Sequence, residues 1–368
     1  MRFRPVLTLM HGETAAKPAR AQAMTITRSA IGGEPTLSLG LALWGTDPVS
    51  NLVAQAQRAE RMGLESVWVI DSQLICREVF VTMAAILAAT SRIRVATGVT
   101  NPKTRHVSAT ACALATLNEM YPGRVLAGLG TGFSSLRTIG RRRARLAEFE
   151  SFASDLRDLL GGRPCEFEGG VSGRIAWLGG TGNVPVLLAA SGPQTTRLAG
   201  RIADGIILLQ GVADDLVARA AAWVTDGRSQ GAATSNSFSV TCWVPFGVAE
   251  ASDEARAEVR PRVASALMQA RPEHLGDDDR EVAERLRAAY DSFAHADRMP
   301  AHATLIPDDL IARYAVAGSP SEVVTRLGHL IANPHLDRIV LTPQGGQRSL
   351  DDTLAMLEDQ VLPALSKA

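Results

Sequence analysis

Two glycine-bearing turns mark places where this sequence could hold an anion. Gly130, Thr131 and Gly132 close one apolar run, and Ser191, Gly192, Pro193, Gln194 and Thr195 follow another. Each turn opens a helical pattern, and the backbone N–H groups and dipole at a helix start attract phosphate. Taken singly, either turn reads first as an ordinary glycine turn. Elsewhere Thr100, Asn101, Lys103, Thr104, Arg105 and His106 crowd the exit of one apolar run, while Asp71, Ser72 and Gln73 follow another. These groups offer many hydrogen bonds and few titratable sites. Metal-assisted hydrolysis needs converging histidines and carboxylates, and these positions supply only Asp71 and His106. His295 and His302 flank Asp297 at a ligand-like spacing, but Pro300 breaks the helix they would share, so no metal is assigned. No lysine ends a strand-like run, which removes Schiff-base chemistry. The reactive group must then be an organic cofactor.

Composition narrows the partners. Of 368 residues, 46% are apolar and 21% charged, and the formal net charge is zero. A nucleic-acid partner is not expected, because no basic footprint is present. Cys76, Cys112, Cys165 and Cys242 are scattered without a CxxC pair, which fits a reduced, cytoplasmic setting. No apolar stretch approaches the roughly 18 to 20 residues of a membrane span. Patterned sequence begins near Leu37, so residues 1–36 are expected to be a flexible tail and Met24 is an alternative start.

The elements that must position these groups alternate short apolar runs with amphipathic segments. Strand-like runs occupy 37–43, 65–71, 93–99, 124–130, 184–190, 204–210, 238–248 and 337–342, each followed by a helical pattern. In the first of these helices Asp47 is expected to cap, Pro48 to take the first position and Gly63 to close. Eight such units fit a closed (β/α)8 TIM barrel spanning 37–368, with insertions before the fifth and eighth strands. The long segment 251–332 reads as helical. An open doubly wound sheet would carry a glycine fingerprint after its first strand, where this chain has Trp44, Gly45, Thr46, Asp47 and Pro48. A barrel gathers its chemistry at the carboxyl ends of its strands. That adds Trp44, Phe133, Gln210, Thr342 and Gln344 to the candidates.

The segments VIDSQLICREVF, GVTNPKTRH, ATLNEMYPGRVLAGLGTG, LLAASGPQTTRLAGRIADGIILL, YAVAGSPSEVVTRL and DRIVLTP together resemble the bacterial luciferase-like monooxygenase superfamily. Within it they are nearest to the deazaflavin-dependent methylenetetrahydromethanopterin reductases. The resemblance runs from about Leu37 to Pro363 and implies a TIM barrel that binds coenzyme F420 or FMN. It places the exit of the third strand behind the flavin ring, often with a non-proline cis peptide, at the position matching Gly98 and Val99. Thr100 and Asn101 would then meet the polar edge of the ring. Gly130, Thr131 and Gly132 match one part of the family's phosphate site, and Ser191, Gly192, Pro193, Gln194 and Thr195 match the other. Asp71 and Ser72 match positions that face the ring, and Arg77 falls where relatives also carry arginine, on the substrate side. Phe133 is a departure: the deazaflavin enzymes commonly have an acidic residue there. Its loss puts their proton handling in question and makes the substrate side more apolar.

Several residues carry two readings. Asp71 is either a catalytic carboxylate at the barrel mouth or a simple cap. His106 is either a proton-transfer group or a helix-start residue bonded locally. Trp44 either walls a substrate pocket or packs the mouth. The arginine run 141–145 reads as a solvated helix face. The implied activity is hydride transfer to or from a small organic substrate with reduced F420. An FMNH2-dependent monooxygenase and a non-catalytic, cofactor-poor barrel subunit are the alternatives. A separate flavin or F420 reductase is one available electron source, and a homo-oligomer is expected.

Overall fold

The protein is described from a computed structural model, which covers residues 26–27, 36–179, 184–231, 238–270, 275–289, 300–343 and 349–367. Eight parallel strands form its centre: β1 (Thr36–Leu43), β2 (Ser66–Val69), β3 (Arg94–Thr97), β4 (Val125–Leu129), β5 (Val186–Ala190), β6 (Gly205–Leu208), β7 (Ser239–Val248) and β8 (Arg338–Pro343). Each pairs with the next. β8 returns to β1 in register Arg338 to Ser38, so the sheet closes into a (β/α)8 barrel.

Period-two alternation sorts the side chains of each strand. Leu41, Val67, Val95, Val125, Leu188, Ile206 and Leu341 point outward into the layer between strands and helices. Ala42, Trp68, Ala96, Leu126, Leu187, Ile207 and Val340 fill the barrel interior. Two large interior rings fit by meeting edge to face, Trp68 and Trp243 at 6.0 Å between centroids. Glycine relieves crowding where strands approach most closely. A Cβ on Gly128 would stand 2.2 Å from the Thr97 carbonyl oxygen, and the Thr97 hydroxyl instead donates to the Gly128 carbonyl at 2.8 Å.

Both expected insertions are present. The one before β5 carries a small antiparallel hairpin, Cys165–Phe167 with Val171–Gly173. The one before β8 folds around its own apolar core, including Val259, Val263, Leu267, Leu286, Ile311 and Tyr314. It contains the helix Ser252–Gln269 and, contrary to the all-helical reading of 251–332, a short strand Val316–Gly318. Three residues are too few to register a period of two, and the strand exists because β7 runs past the barrel rim and offers Phe246–Val248 as partner. The first helix differs in detail too. Pro48, not Asp47, precedes Val49–Arg61, and Asp47 instead accepts from Gln55 Nε2 at 3.3 Å. Gly63 closes that helix at φ +82°, as expected. Of the expected tail, only Ile26, Thr27 and Thr36 lie among the described residues, and Ile26–Thr27 pairs antiparallel with the start of β1.

Candidate active site

One cleft opens at the carboxyl ends of the strands, and it collects contributions from most of them. Gly98 and Val99 follow β3 and lie at its base, joined by a cis peptide bond as the resemblance implies. Gly130, Thr131, Gly132 and Phe133 enter after β4, and Ser191 and Thr195 after β5. Trp44, Asp71, Ser72 and Thr342 complete the expected set that lines it, whereas Gln210 does not line it and donates to the Thr196 hydroxyl at 3.1 Å. Apolar surface comes from Ala189 and Ile207.

The glycines between β4 and its helix have steric reasons. Gly132 sits at φ +85°, and a Cβ there would stand 2.5 Å from Leu136 Cδ1. A Cβ on Gly130 would press on Val99 Cγ2 at 2.8 Å. Gly192 serves differently. It is extended and precedes the helix Pro193–Ile202, and its carbonyl accepts from the hydroxyls of Thr195 at 3.1 Å and Thr196 at 2.9 Å. Gly192, Pro193 and Gln194 are not among the lining residues, whereas their neighbours Ser191 and Thr195 are.

Asp71 is buried and bound at both oxygens. Arg105 Nη1 donates to Oδ2 at 2.6 Å, and Gln73 Nε2 donates to Oδ1 at 2.9 Å. Arg105 also reaches Glu78 at 2.7 Å. Burial works against the Arg105 charge, but the hydrogen bond and charge of Asp71, with those of Glu78, outweigh it and raise the guanidinium's pKa. The carboxylate is therefore held in a fixed fork. Ser72 Oγ lies 2.7 Å from Ser134 Oγ, a hydroxyl pair in which either oxygen can donate. Cys76 shares the loop after β2, and burial pushes its thiol up to about 11, so it is no nucleophile at neutral pH.

Several expected site residues lie beside the cleft rather than in it. Thr100 is buried, and its backbone N–H donates to the Gly128 carbonyl at 2.9 Å. Asn101 Oδ1 accepts from the backbone N–H groups of Lys103 and Thr104, and its amide donates to Ser135 Oγ at 3.3 Å. Both shape the loop after β3 and present no group to the cleft. His106 is exposed at the start of the helix Val107–Met120, where Nδ1 accepts from the Ser108 N–H, and its ring packs 5.5 Å from Phe167. Its local reading is the one the geometry shows. Arg77 is exposed and donates to the carbonyls of Gly45 and Thr46, tying the loop after β2 to the loop after β1. Among the described residues no group of three or more His, Cys, Asp or Glu could hold a metal. His295, Asp297 and Gln344 lie outside the described residues.

The arginines of the run 141–145 are all exposed, as expected, but they precede the helix Leu146–Leu160 instead of forming its face, and one of them reaches the cleft. Arg143 lines the cleft, with its guanidinium carbon 5.4 Å from the Phe133 ring centroid, and Arg137 flanks the same ring at 5.5 Å. Charge density in sequence cannot show that one member of a basic run folds back over an aromatic ring. A second omission is larger. Arg262, Ser265, Ala266 and Gln269, at spacing i, i+3, i+4, i+7 on the helix Ser252–Gln269, line the cleft from above. Tyr314 joins them, its hydroxyl donating to Asp279 at 2.8 Å. Polar Glu258, Arg262 and Ser265 are buried on this helix along with Val259, Val263 and Leu267, and nothing local in the sequence says that it crosses the barrel mouth.

The sequence model of the family described as luciferase-like monooxygenase matches residues 22–335. The chain is similar to the 5,10-methylenetetrahydromethanopterin reductase of Methanolobus tindarius, 26% identical over 312 residues that cover 80% of this chain and 91% of that one. It is also similar to the F420-dependent glucose-6-phosphate dehydrogenase of Beutenbergia cavernae, 29% identical over 333 residues, 86% and 93% of the two chains. In fold it is similar to the coenzyme F420 dependent tetrahydromethanopterin reductase from Methanopyrus kandleri, with a TM-score of 0.74 at 22% identity over 89% of this chain and 99% of that one.

Proposed function

The chain belongs to the luciferase-like monooxygenase family, and on that premise we propose that this oxidoreductase uses coenzyme F420, reduced when hydride passes to a small organic substrate and oxidised when hydride is taken from it. One observation carries the reading. The two glycine turns, far apart in sequence, meet in one cleft, where the hydroxyls of Thr131, Ser191 and Thr195 edge an apolar surface of Val99, Ala189 and Ile207. A flat ring with a phosphate-bearing tail matches that donor set. The B. cavernae dehydrogenase, which is named for F420, favours the deazaflavin.

When bound, such a cofactor supplies the hydride. The chain's own residues do the rest. Thr131, Ser191 and Thr195 would hold the phosphate, the latter two by turning their hydroxyls from the Gln269 and Gly192 carbonyls, and Val99 would line the ring's site. Asp71, with both oxygens committed, is a positioning residue that fixes Arg105 and the loop after β2. The Ser72–Ser134 hydroxyl pair holds a proton within the cleft at Ser72 Oγ or Ser134 Oγ. Trp44, Phe133 and Trp243 cover the substrate side and exclude water.

Phe133 favours a second reading, an FMNH2-dependent monooxygenase, because an apolar ring stands where the deazaflavin enzymes commonly carry an acid. Anaerobic titration of the full chain with reduced F420 and with FMNH2 separates the two. Tight binding of F420 with weak binding of FMNH2 is expected. The reverse order supports the monooxygenase, and binding of neither leaves the inert barrel subunit.

A homo-oligomer fits the outer surface. The helix Val79–Ala89 carries no charged residue and leaves Val81 65% exposed, while Met120 on the helix Val107–Met120 is 57% exposed. Light scattering of the wild type and of Val81→Glu tests this. The four cysteines are free, which supports a cytoplasmic setting. Among the described residues no helix is long and apolar enough to cross a membrane.

A further inference from the structure

A phosphate monoester carries about 1.5 to 2 negative charges at neutral pH, yet the groups that meet at the turn after β5 are uncharged. Thr131, Ser191 and Thr195 bring hydroxyls, and the helix Pro193–Ile202 brings the positive end of its dipole. The arginines of that helix are committed elsewhere, Arg197 to Asp226 and Arg201 to Glu150. Behind Ser191 a second, smaller cavity opens. Ser191, Leu209, Ala266 and Tyr314 line both it and the cleft, so they form the partition between the two. Its far side includes Gln210, Arg219 and Trp223. Gln210 Nε2 donates to the Thr196 hydroxyl at 3.1 Å, which sets this side cavity against the first turn of the helix that Gly192 precedes.

Arg219 differs from the other arginines around the turn. It lies on the exposed side of the helix Asp214–Gln230, where its guanidinium carbon stands 5.5 Å from the ring centroid of Trp223, one turn on. Among the described residues it makes no ion pair. The carboxylates around it are taken: Asp215, one turn before it, pairs with Arg313 at 3.0 Å, and Asp279 accepts from the Tyr314 hydroxyl at 2.8 Å. No Asp or Glu is among the described residues that line the side cavity. The Arg219 charge also reaches the partition. Burial first, and then Asp279, push the Tyr314 hydroxyl's pKa up, while the charges of Arg313 and Arg219 pull it down.

We propose that Arg219 is a binding residue for the phosphate of the ligand in the cleft: from the side cavity it leaves the Trp223 ring and closes on the oxyanion beside Ser191 and Thr195. It thereby supplies the formal positive charge that the hydroxyls of the turn lack. The inference rests on the reading of this turn as the cofactor's phosphate site. A guanidinium suits the task, because its planar fork gives two parallel N–H bonds to phosphate oxygens and stacks on an aromatic face when the site is empty.

The test uses the full chain and two pairs of probes, FMN with riboflavin and coenzyme F420 with its chromophore cut before the phosphate, titrated by calorimetry. In at least one pair the wild type should bind the phosphorylated member more tightly. Arg219→Met should reduce that margin about tenfold, the scale of a lost charge-assisted contact, while the phosphate-free member stays within about twofold. Arg219→Lys keeps the charge without the fork and should retain part of the margin, which decides the matter should the methionine variant fail to fold. Raising the salt should shrink the difference between wild type and Arg219→Met, since the side chain is exposed. Arg61→Met, on the helix after β1, is the control and should leave the margin alone. A margin that survives in the Arg219 variants, that falls equally in Arg61→Met, or that is lost together with binding of the phosphate-free member overturns this proposal and leaves the phosphate turn standing. A wild type that binds both members of each pair equally, or none of the four, removes the phosphate turn and this proposal with it.

Discussion

The floor and the roof of the cleft are held by different means. Gly98, Val99, Gly130, Thr131 and Ser191 sit directly after strands whose backbones are paired around a closed barrel, so their places are set by main-chain geometry. Arg262, Ser265, Gln269 and Tyr314 hang from an insertion with its own core, reached through side-chain packing and a few polar ties. A floor of this kind tolerates little change, because parallel strands transmit a misfit to their neighbours. A roof of this kind can vary in residue and position while the barrel stands, which suits it to choosing substrates.

The floor should break most severely. Gly128→Val would drive a side chain into the Thr97 carbonyl, and we expect a loss of roughly 3 kcal/mol or more of stability, or no cooperative folding, in urea denaturation. Asp71→Asn comes next. Arg105 would keep Glu78 but lose its charged partner, at a cost of about 2 kcal/mol by the same measurement. An unchanged midpoint would show that the Asp71 fork does not tie the loop. Ser191→Ala touches the seam between floor and roof and should weaken cofactor binding by about 1 kcal/mol, near fivefold, while leaving stability alone.

Roof and rim effects should be smaller. Arg143→Ala removes a guanidinium from the Phe133 ring and should shift ligand affinity by about 0.5 to 1 kcal/mol. No shift would show that its contact with the Phe133 ring contributes nothing to binding. The smallest effect concerns acid. Ser252 and Ser319 hydrogen bonds hold the Glu322 carboxyl down at about 2 from its ordinary 4.5, and Ser252 begins the roof helix. A depressed folded pKa contributes stability above about 4.5 that is lost as pH falls towards 2. Hydrogen exchange in the roof helix should therefore quicken across that window before the barrel strands respond, and Glu322→Gln should abolish the difference.

Periodicity alone carried the reading of the barrel. Strand runs placed at 65–71, 93–99 and 124–130 correspond to Ser66–Val69, Arg94–Thr97 and Val125–Leu129, because strands buried on both faces read as short continuous apolar runs between helical patterns. Rules about strand ends then found Trp44, Asp71, Ser72, Thr131 and Ser191, since position after a strand is itself local information. Thr100 and Asn101 show where that rule stops. They follow a strand, yet their polar groups turn back into the loop and into the neighbouring strand's backbone. His106 looked suited to proton transfer by type, but its ring faces outward at a helix start, where local bonding is enough to explain it. Arg262 and Arg143 were invisible for the opposite reason. Whether an arginine on a helix meets water or a tryptophan more than 200 residues away depends on how an insertion docks across the barrel, and that is decided by the fit of two cores, Val259 and Leu267 on one side and the strand ends on the other. No window of sequence contains both.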